Sequence, residues 1–346
     1  MTREAFGAEF LGADGFLNSP TYGLPPQFLV DALLDCIGKW QNGTMDVPSF
    51  DAHVAAGREG YAALAGLPVG SVAMGSTVSS ALGLVAAAIP DGARVLTLPG
   101  EFTSTTFPFA AQARRGVTVT ELPLDELATA AADFDVVAVS LVQSATGVVL
   151  DIDALRSHVA GTETLTIIDI TQALGWKRVE LDWVDVTVAA VYKWLLSPRG
   201  TSWFSLSDRV SRAMTPHAAN WYAGVDPWQT IYGLPLRLAE DARRFDLSPA
   251  WFSVLGAGLA MPWLASLDGD AVQSHCRGLA NRLRTELDLP PHESAIVSLP
   301  IEGAAEAIQR VGIRASVRAG AIRVGFHLYN NENDLDRLVD ALRVAA

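Results

Sequence analysis

The sequence predicts an α/β fold in which a large domain with a mostly parallel sheet between helices is followed by a smaller C-terminal α+β domain. Up to about residue 240 of the 346, short apolar, β-rich runs alternate with stretches of helical periodicity. That alternation is typical of parallel strands covered by helices on both faces. Beyond that point two long helical stretches come first, and a mixture of strands and helices follows. We therefore expect an N-terminal segment 1–28, a large domain 29–240 and a small domain 241–346.

The elements of the large domain follow one another in a regular order. Helical periodicity begins after Pro25-Pro26 at 27–40 and returns at 51–65, and a glycine and hydroxyl cluster opens an apolar helix within 75–88. Strands are expected at 94–98, 117–122, 135–142, 165–170, 184–191 and 201–207, with helices at 104–115, 124–132 and 153–160. Binding sites in such sheets lie at the carboxyl ends of the strands.

The small domain has a different order of elements. Its two long helices are expected at 251–267 and 270–287. The patterns that follow predict strands at 295–300, 313–318 and 321–327, and helices at 303–311 and 333–345.

The composition argues against several classes of protein. A net charge of -13 does not favour a nucleic-acid partner. No uncharged apolar run reaches the roughly eighteen residues of a membrane span, and the N-terminus lacks the pattern of a signal peptide. Cys36 and Cys276 are too few for a disulfide framework and have no metal-ligand spacing. We expect a cytoplasmic protein without a metal site or a membrane partner.

Two ionisable residues stand where apolar strands end. Asp169 closes the run LTIIDI, and Lys193 follows the apolar run at 186–191 and precedes Trp194. Both side chains are expected at the same edge of the sheet, where a buried charge needs a partner. One interpretation is a functional pair in a cleft. The other is a buried Asp–Lys ion pair that holds the sheet together.

Other positions each allow two interpretations. Ser76 and Thr77 open an apolar helix, where hydroxyl and N–H groups suit a phosphate or simply cap the helix. Phe102 follows the strand at 94–98 and is explained equally well by core packing. Arg323 lies in the run IRVGF, where strand alternation allows an ordinary surface arginine.

Several longer stretches resemble class V aminotransferases, a family of fold type I pyridoxal-phosphate enzymes. The stretch TIIDITQALGWKRVELDWVDVTVAAVYKWLLSPRG is similar to the family's signature region, in which Asp-x-x-Gln precedes the cofactor-binding lysine. EFTSTTFPF resembles its glutamate-aromatic segment, and RRFDLSP its Arg-Phe-Glu-x-Thr-Pro segment. RVGFHLYNNENDLDRLVDAL resembles its C-terminal Arg-x-Ser-x-x-x-Tyr-Asn motif. The similar stretches run in the family's order from about residue 16 to the end.

The resemblance implies a role for each of these positions. Lys193 would form a Schiff base with pyridoxal 5′-phosphate, because burial favours the neutral amine that reacts. Asp169 would pair with the protonated pyridine nitrogen, and Arg323 would bind a substrate carboxylate. The other positions implied to bind the cofactor are Ser76, Thr77 and Tyr192 at the phosphate, Phe102 on the ring face, Gln172 and Ser144 at the phenolic oxygen, and Ser248 at the phosphate of a partner subunit. A homodimer with shared active sites is therefore expected.

The residues narrow the reaction without fixing it. Phe102 stands where many relatives carry histidine, so Lys193 must do most of the proton transfer, as transamination requires. We therefore predict an aminotransferase acting on an amino acid. The alternatives are a pyridoxal-phosphate-dependent lyase, by kynureninase-like hydrolysis or C–S β-elimination, and a catalytically inert protein that binds the cofactor. Cysteine desulfurase activity is not expected, because residues 295–322 contain no cysteine.

The sequence leaves the substrate open, together with the roles of several aromatic residues. The residues Trp221, Tyr222, Trp228 and Tyr232 form an aromatic-rich segment that suits a substrate pocket, a core or a dimer interface equally. His327 is assigned no role.

Overall fold

Strands and helices alternate through most of the computed structural model, which describes residues 2–345. The strands of these residues are β1 (Thr2–Ala5), β2 (Ala8–Leu11), β3 (Val72–Gly75), β4 (Arg94–Thr97), β5 (Thr118–Glu121), β6 (Val136–Ser140), β7 (Leu165–Asp169), β8 (Val186–Ala190), β9 (Ser202–Leu206), β10 (Ile296–Leu299), β11 (Ser316–Arg318) and β12 (Ala321–Gly325). The α-helices are α1 (Gln27–Gln41), α2 (Phe50–Ala65), α3 (Val78–Ala88), α4 (Thr103–Ala110), α5 (Leu124–Ala130), α6 (Ile152–Val159), α7 (Asp208–Ala213), α8 (Trp251–Ser266), α9 (Gly269–Glu286), α10 (Ala304–Arg310) and α11 (Glu332–Ala345).

The large sheet contains seven strands in the order β3-β9-β8-β7-β6-β4-β5. The pairs from β5 through β4, β6 and β7 to β8 are parallel, and β9 runs antiparallel to both of its neighbours. In the pairing of β6 with β7, Ser140 lies opposite Asp169. The predicted mostly parallel sheet is therefore confirmed, and its register places the ends of β6, β7 and β8 at one edge.

The sheet is buried on both faces, which explains the continuous apolar runs of its strands. In β6, Val137 and Val139 belong to one core cluster, while Val136 and Ala138 belong to another. Helices α2 and α8 contribute to the first cluster and α3 to the second. Because successive side chains of a strand point to opposite faces, a strand between two helical layers needs an apolar residue at every position.

A small antiparallel sheet in the order β10-β12-β11 packs with α9, α10 and α11 around a third core cluster. Strands β11 and β12 form a hairpin whose two turn residues, Ala319 and Gly320, have φ values of 48° and 78°. Two left-handed residues give a turn whose twist matches that of the strands. The N-terminal segment joins this sheet, because Asn18 bridges Gly325 and Leu17 lies in the third cluster.

The observed elements agree with the predicted ones except in four short strands or helices and one helix end. Strands β1, β2 and β3 and helix α7 were not predicted; each has four to six residues, too few to show a period. The helix predicted at 104–115 ends at Ala110, and a separate 3₁₀ turn follows at Ala113–Arg115. The limits of the three predicted parts stay proposals. No helix within residues 2–345 has both the length and the apolarity of a membrane span.

Candidate active site

A cavity of about 300 Å³ lies at the carboxyl ends of the central strands. The loops that leave β3, β4, β6, β7 and β8 all contribute to its wall. The predicted site residues that line it are Ser76, Thr77, Phe102, Ser144, Asp169, Gln172, Tyr192 and Lys193. The strand-end argument therefore brought together residues that are more than a hundred positions apart in the sequence.

Lys193 is buried in this cavity without a nearby counter-ion. The residue is 6% exposed, and its Nζ lies 5.3 Å from the ring centre of Phe102 and 5.9 Å from that of Tyr192. Burial lowers the pKa of Lys193 to about 8, although the charge of Asp169 opposes the shift. Among residues 2–345 no carboxylate oxygen lies within 4.0 Å of Nζ. The interpretation of a structural Asp169–Lys193 ion pair is therefore wrong.

Asp169 is held by hydroxyl and N–H groups. Its Oδ1 accepts a hydrogen bond from the Thr171 backbone N–H at 2.8 Å, and its Oδ2 accepts one from Thr105 Oγ1 at 3.2 Å. Burial raises the pKa of Asp169, while the hydrogen bonds from Thr171 and the charge of Lys193 oppose that rise. A carboxylate that is buried and fixed in this way binds a cation strongly, because a positive partner removes the cost of its lost hydration.

The hydroxyl cluster at the start of α3 forms the opposite end of the cavity. Thr77 Oγ1 accepts from the Ser80 N–H at 3.0 Å, and Ser80 Oγ accepts from the Thr77 N–H at 3.1 Å, which is a capping box. The capping interpretation is thus confirmed. It does not exclude a phosphate, because the first-turn residues Val78 and Ser79 also line the cavity, and a helix N-terminus attracts anions.

The side-chain amide of Gln172 connects several parts of the site. Its Nε2 donates to Ser144 Oγ at 3.0 Å and to the Pro20 carbonyl at 2.9 Å, and its Oε1 accepts from Trp194 Nε1 at 2.8 Å. Gln172 therefore links the N-terminal segment, the loop after β6 and the residue that follows Lys193. Direct binding of the cofactor by Gln172 or Ser144 stays a prediction.

Arg323 is a buried cation surrounded by neutral oxygens. It is 1% exposed, so the interpretation of an ordinary surface arginine is wrong. Its guanidinium donates to the Ser144 carbonyl and hydroxyl, to Thr21 Oγ1 at 2.9 Å and to Ser316 Oγ at 3.1 Å, while Nε has no partner among the described residues. Burial, followed by the charge of Arg318, lowers the pKa of Arg323 to about 10. A buried guanidinium without a carboxylate partner is a site for an anionic group from outside the chain.

Ser248 is exposed and does not line the cavity of its own chain. The preceding residue, Leu247, donates its N–H to the Met74 carbonyl at 3.0 Å, and Asp246 forms a buried ion pair with Arg58 at 2.5 Å. These contacts fix the segment beside β3, at the outer side of the hydroxyl cluster. Contact between Ser248 and the phosphate of a partner subunit stays a prediction.

The aromatic segment also lies apart from the cavity. Tyr222 is buried and Tyr232 is 87% exposed, and Tyr222 and Trp228 both donate to the carboxylate of Asp51. None of the four aromatic residues lines the cavity within the described residues. Their use as its lining is thus wrong for a single chain.

His327 is a structural residue. Its ring is buried, and Nε2 lies 3.0 Å from the Trp194 carbonyl, next to the lysine. Burial lowers the pKa of His327 to about 3, so the ring is neutral near pH 7.

Sequence reasoning missed several residues that support the site. Glu101 is buried and accepts from the Ser140 N–H at 2.8 Å and from Ser140 Oγ at 2.7 Å. It stands directly before Phe102, and a carboxylate at the end of a strand was a signal of the kind that identified Asp169. Arg199 lines the cavity as well, but one arginine after a proline gives no signal in the sequence.

Neither cysteine takes part in the site. Cys36 and Cys276 are buried and lie outside the cavity lining. Burial raises the pKa of both thiols, which disfavours the reactive thiolate.

The cavity fits pyridoxal 5′-phosphate by the chemistry of its walls. Thr77 and the N-terminus of α3 offer donors at one end, Asp169 offers a carboxylate at the other, and the amine of Lys193 lies between them beside the ring of Phe102. This fold and this set of residues define a fold type I pyridoxal-phosphate-dependent enzyme. Residues 71–308 match the model of the family described as Aminotransferase class-V, so the chain belongs to that family and its cofactor is pyridoxal 5′-phosphate.

Similar proteins carry out different reactions. The chain is 29% identical over 328 residues to a probable hercynylcysteine sulfoxide lyase of Mycobacterium tuberculosis (strain CDC 1551 / Oshkosh), which covers 85% of this chain and 80% of the relative. It is 27% identical over 244 residues to a probable cysteine desulfurase of Pseudomonas putida, which covers 60% and 57%. Among solved structures, a complex of the cystine C–S lyase C-DES with cysteine persulfide has a TM-score of 0.82 at 18% identity, covering 96% of this chain and 98% of that one.

The close approach of the N-terminal segment to Lys193 gives a first prediction. The Gly23 N–H donates to the Tyr192 carbonyl at 2.9 Å, and a Cβ on Gly23 would overlap the Lys193 carbonyl oxygen. Gly23→Ala should lower the free energy of unfolding of the holoenzyme by about 1–3 kcal/mol, because two backbone segments must separate. Chemical denaturation of the holoenzyme measures the change.

Gly38→Ala in α1 is the matched control, because a Cβ there meets nothing within 4 Å. It should leave stability unchanged or raise it by up to about 1 kcal/mol. Equal stability of the Gly23 and Gly38 variants would show that the segment does not press on Lys193.

Proposed function

We propose that the protein is a pyridoxal-phosphate-dependent lyase that removes the Cα proton of an α-amino acid and expels a substituent from Cβ. The observation that carries the proposal is the buried amine of Lys193, which faces the ring of Phe102, a side chain that cannot transfer a proton. A single base is sufficient for β-elimination when the leaving group is a stable sulfur species. The similarity to a sulfoxide lyase over most of both chains supports this reaction.

The residues of the cavity would hold the cofactor along its length. Ser76, Thr77 and Tyr192 would contact the phosphate, and Phe102 would cover one face of the ring. Asp169 would keep the pyridine nitrogen protonated, with its own position fixed by the hydrogen bonds to Thr171 and Thr105. Bound pyridoxal phosphate supplies an electron sink for the charge left on Cα.

Arg323 and Lys193 would divide the work on the substrate. The guanidinium of Arg323 would hold the α-carboxylate through two parallel hydrogen bonds and so fix the direction of the Cα–H bond. The neutral amine of Lys193 would accept that proton. A pKa near 8 means that a substantial fraction of the amine is neutral near pH 8, which an ordinary lysine would not provide.

Transamination is the second candidate. It also needs one base, and Lys193 could return the proton to the cofactor carbon after taking it from Cα. Desulfurase activity is not proposed, because the described residues place no cysteine at the cavity. The lyase is preferred because a lyase is the relative with the higher identity and the larger shared length.

The products of the reaction distinguish these candidates. We expect S-substituted cysteines or their sulfoxides to give pyruvate and ammonia in equal amounts. Lys193→Ala should abolish product formation, and borohydride reduction should attach the cofactor to the Lys193 peptide of the wild type but not to the variant. Keto acid formed without ammonia would indicate transamination, and alanine formed with sulfide would indicate desulfuration; either result would reject the lyase.

Asp169→Asn tests the pairing with the ring. The variant should still bind the cofactor covalently at Lys193, but turnover should fall by orders of magnitude, since the amide does not hold the ring nitrogen protonated. Steady-state kinetics and borohydride labelling measure the two effects separately. A loss of turnover below about tenfold, or about 1.4 kcal/mol, would make Asp169 a structural residue.

A homodimer is part of this proposal, and the supporting observations are the exposed Ser248 beside β3 and an exposed apolar segment that includes Tyr232 and Leu234. Sedimentation velocity of the holoenzyme should give a dimer. A monomer with full activity would show that one chain forms a complete site. A cytoplasmic location stays a prediction.

A further inference from the structure

Three arginines lie around Lys193 without a carboxylate partner. Arg323, Arg318 and Arg199 are all close enough to act electrostatically on the Lys193 amine. None of the three lies within 4.0 Å of an Asp or Glu oxygen among residues 2–345. Acidic residues are abundant elsewhere, since the chain has a net charge of -13. The excess of positive charge is therefore a local property of this site.

The hairpin of β11 and β12 places Arg318 beside Arg323. Ser316 lies opposite Arg323 in the register and accepts its hydrogen bond at 3.1 Å. Arg318 follows Ser316 by two positions, so the side chains of Arg318, Ser316 and Arg323 emerge on the same face of the hairpin. The left-handed turn at Ala319 and Gly320 immediately follows Arg318 and ends the strand there. Arg318 is exposed, so it can meet a ligand that Arg323 holds at a greater depth.

Arg199 stands between the Lys193 cavity and a second one. The second cavity has a volume of about 360 Å³, and its walls include Thr21, Tyr22, Leu29 and Leu33. Arg199 lines both cavities, and its guanidinium lies 5.2 Å from the ring centre of Tyr192. Thr21 also binds Arg323. The second cavity is therefore bounded by residues that contact both arginines, and its aliphatic and aromatic walls suit the stem of a substrate side chain.

We propose that the substrate carries a second anionic group besides its α-carboxylate, and that Arg318 and Arg199 bind this group. The inference rests on the proposed function in one respect, namely that the substrate is an α-amino acid held by Arg323. One carboxylate neutralises one guanidinium, and the cofactor phosphate lies at α3. Two further cations would then repel each other and Arg323 unless a second anion joined them. A carboxylate at the end of an apolar stem meets both requirements.

Two substrates that differ only in their distal charge test the inference. We compare S-(2-carboxyethyl)-L-cysteine with its neutral side-chain amide, using the holoenzyme. The wild type should have a kcat/KM at least about tenfold higher for the acid. In Arg318→Met and Arg199→Met, kcat/KM for the acid should fall by about ten- to a hundredfold, as expected for the loss of a hydrogen bond to a charged group. Values for the amide should change less than about twofold.

Arg310→Met is the matched control, because Arg310 is an exposed arginine of α10 in the same part of the chain and forms no ion pair within the described residues. It should affect neither substrate, and thermal unfolding should be equal for all variants. The preference of the wild type for the acid should also decrease with added salt, since exposed charges are screened. A wild type that treats acid and amide alike would overturn the inference while leaving the lyase intact.

Equilibrium binding separates a failure of this inference from a failure of the proposed reaction. L-Glutamate and L-glutamine are compared as ligands of the holoenzyme by calorimetry. Tighter binding of glutamate that Arg318→Met abolishes upholds the second anion site even if no elimination occurs. An Arg199→Met variant that loses cofactor phosphate affinity and acts equally on both ligands would assign Arg199 to the cofactor and overturn its part. Equal binding of the two amino acids to the wild type would overturn the whole inference.

Discussion

The structure depends on holding one amine, that of Lys193, away from water without a carboxylate in contact with it. A pKa near 8 in place of 10.5 means that burial disfavours the charged form by about 3 kcal/mol. That cost falls on the folded state below pH 8 and is relieved as the pH rises toward 10.5, because the unfolded chain then also loses its proton. The packing of Trp194, Leu195 and Leu196 against the sheet, together with the N-terminal segment over the Lys193 carbonyl, offsets it. A cofactor aldehyde converts this unfavourable burial into binding.

The carboxylates behind the cavity have the opposite problem. Glu101 and Asp169 are both buried at the ends of neighbouring strands, and burial raises the pKa of each, with Asp169 adding to the rise at Glu101. Each is fixed by donors: Ser140 and the Phe102 N–H hold Glu101, and Thr105 and Thr171 hold Asp169. The register that pairs Ser140 with Asp169 keeps the two systems adjacent. A protonated ring nitrogen would supply the positive charge that this end of the cavity lacks, so the cofactor completes the electrostatics of the sheet edge.

The parts of the site that sequence reasoning predicted are those that depend on a strand and its end. Lys193 and Asp169 were placed together because parallel strands end at one edge, and that argument needs no coordinates. The depth of Arg323 was not predictable in the same way, because alternation along β12 does not say which face of a hairpin meets the rest of the protein. The role of Gly23 depends on the approach of two distant segments, and β3 is too short to show a period. Motif resemblance supplied Arg323 and Ser248, which local patterns alone left open.

The reaction is harder to read than the cofactor because one residue can serve several reactions. Lys193 has a pKa at which both protonation states are populated near pH 8, so the same amine can accept a proton from one carbon and give it to another. Phe102 offers no competing proton donor. What happens after the Cα proton leaves is then decided by the substrate: a good leaving group on Cβ departs before the proton can return, while a substrate without one can only be reprotonated. The walls that select the side chain, formed by Thr21, Tyr22 and Arg199, therefore determine the reaction as much as the base does.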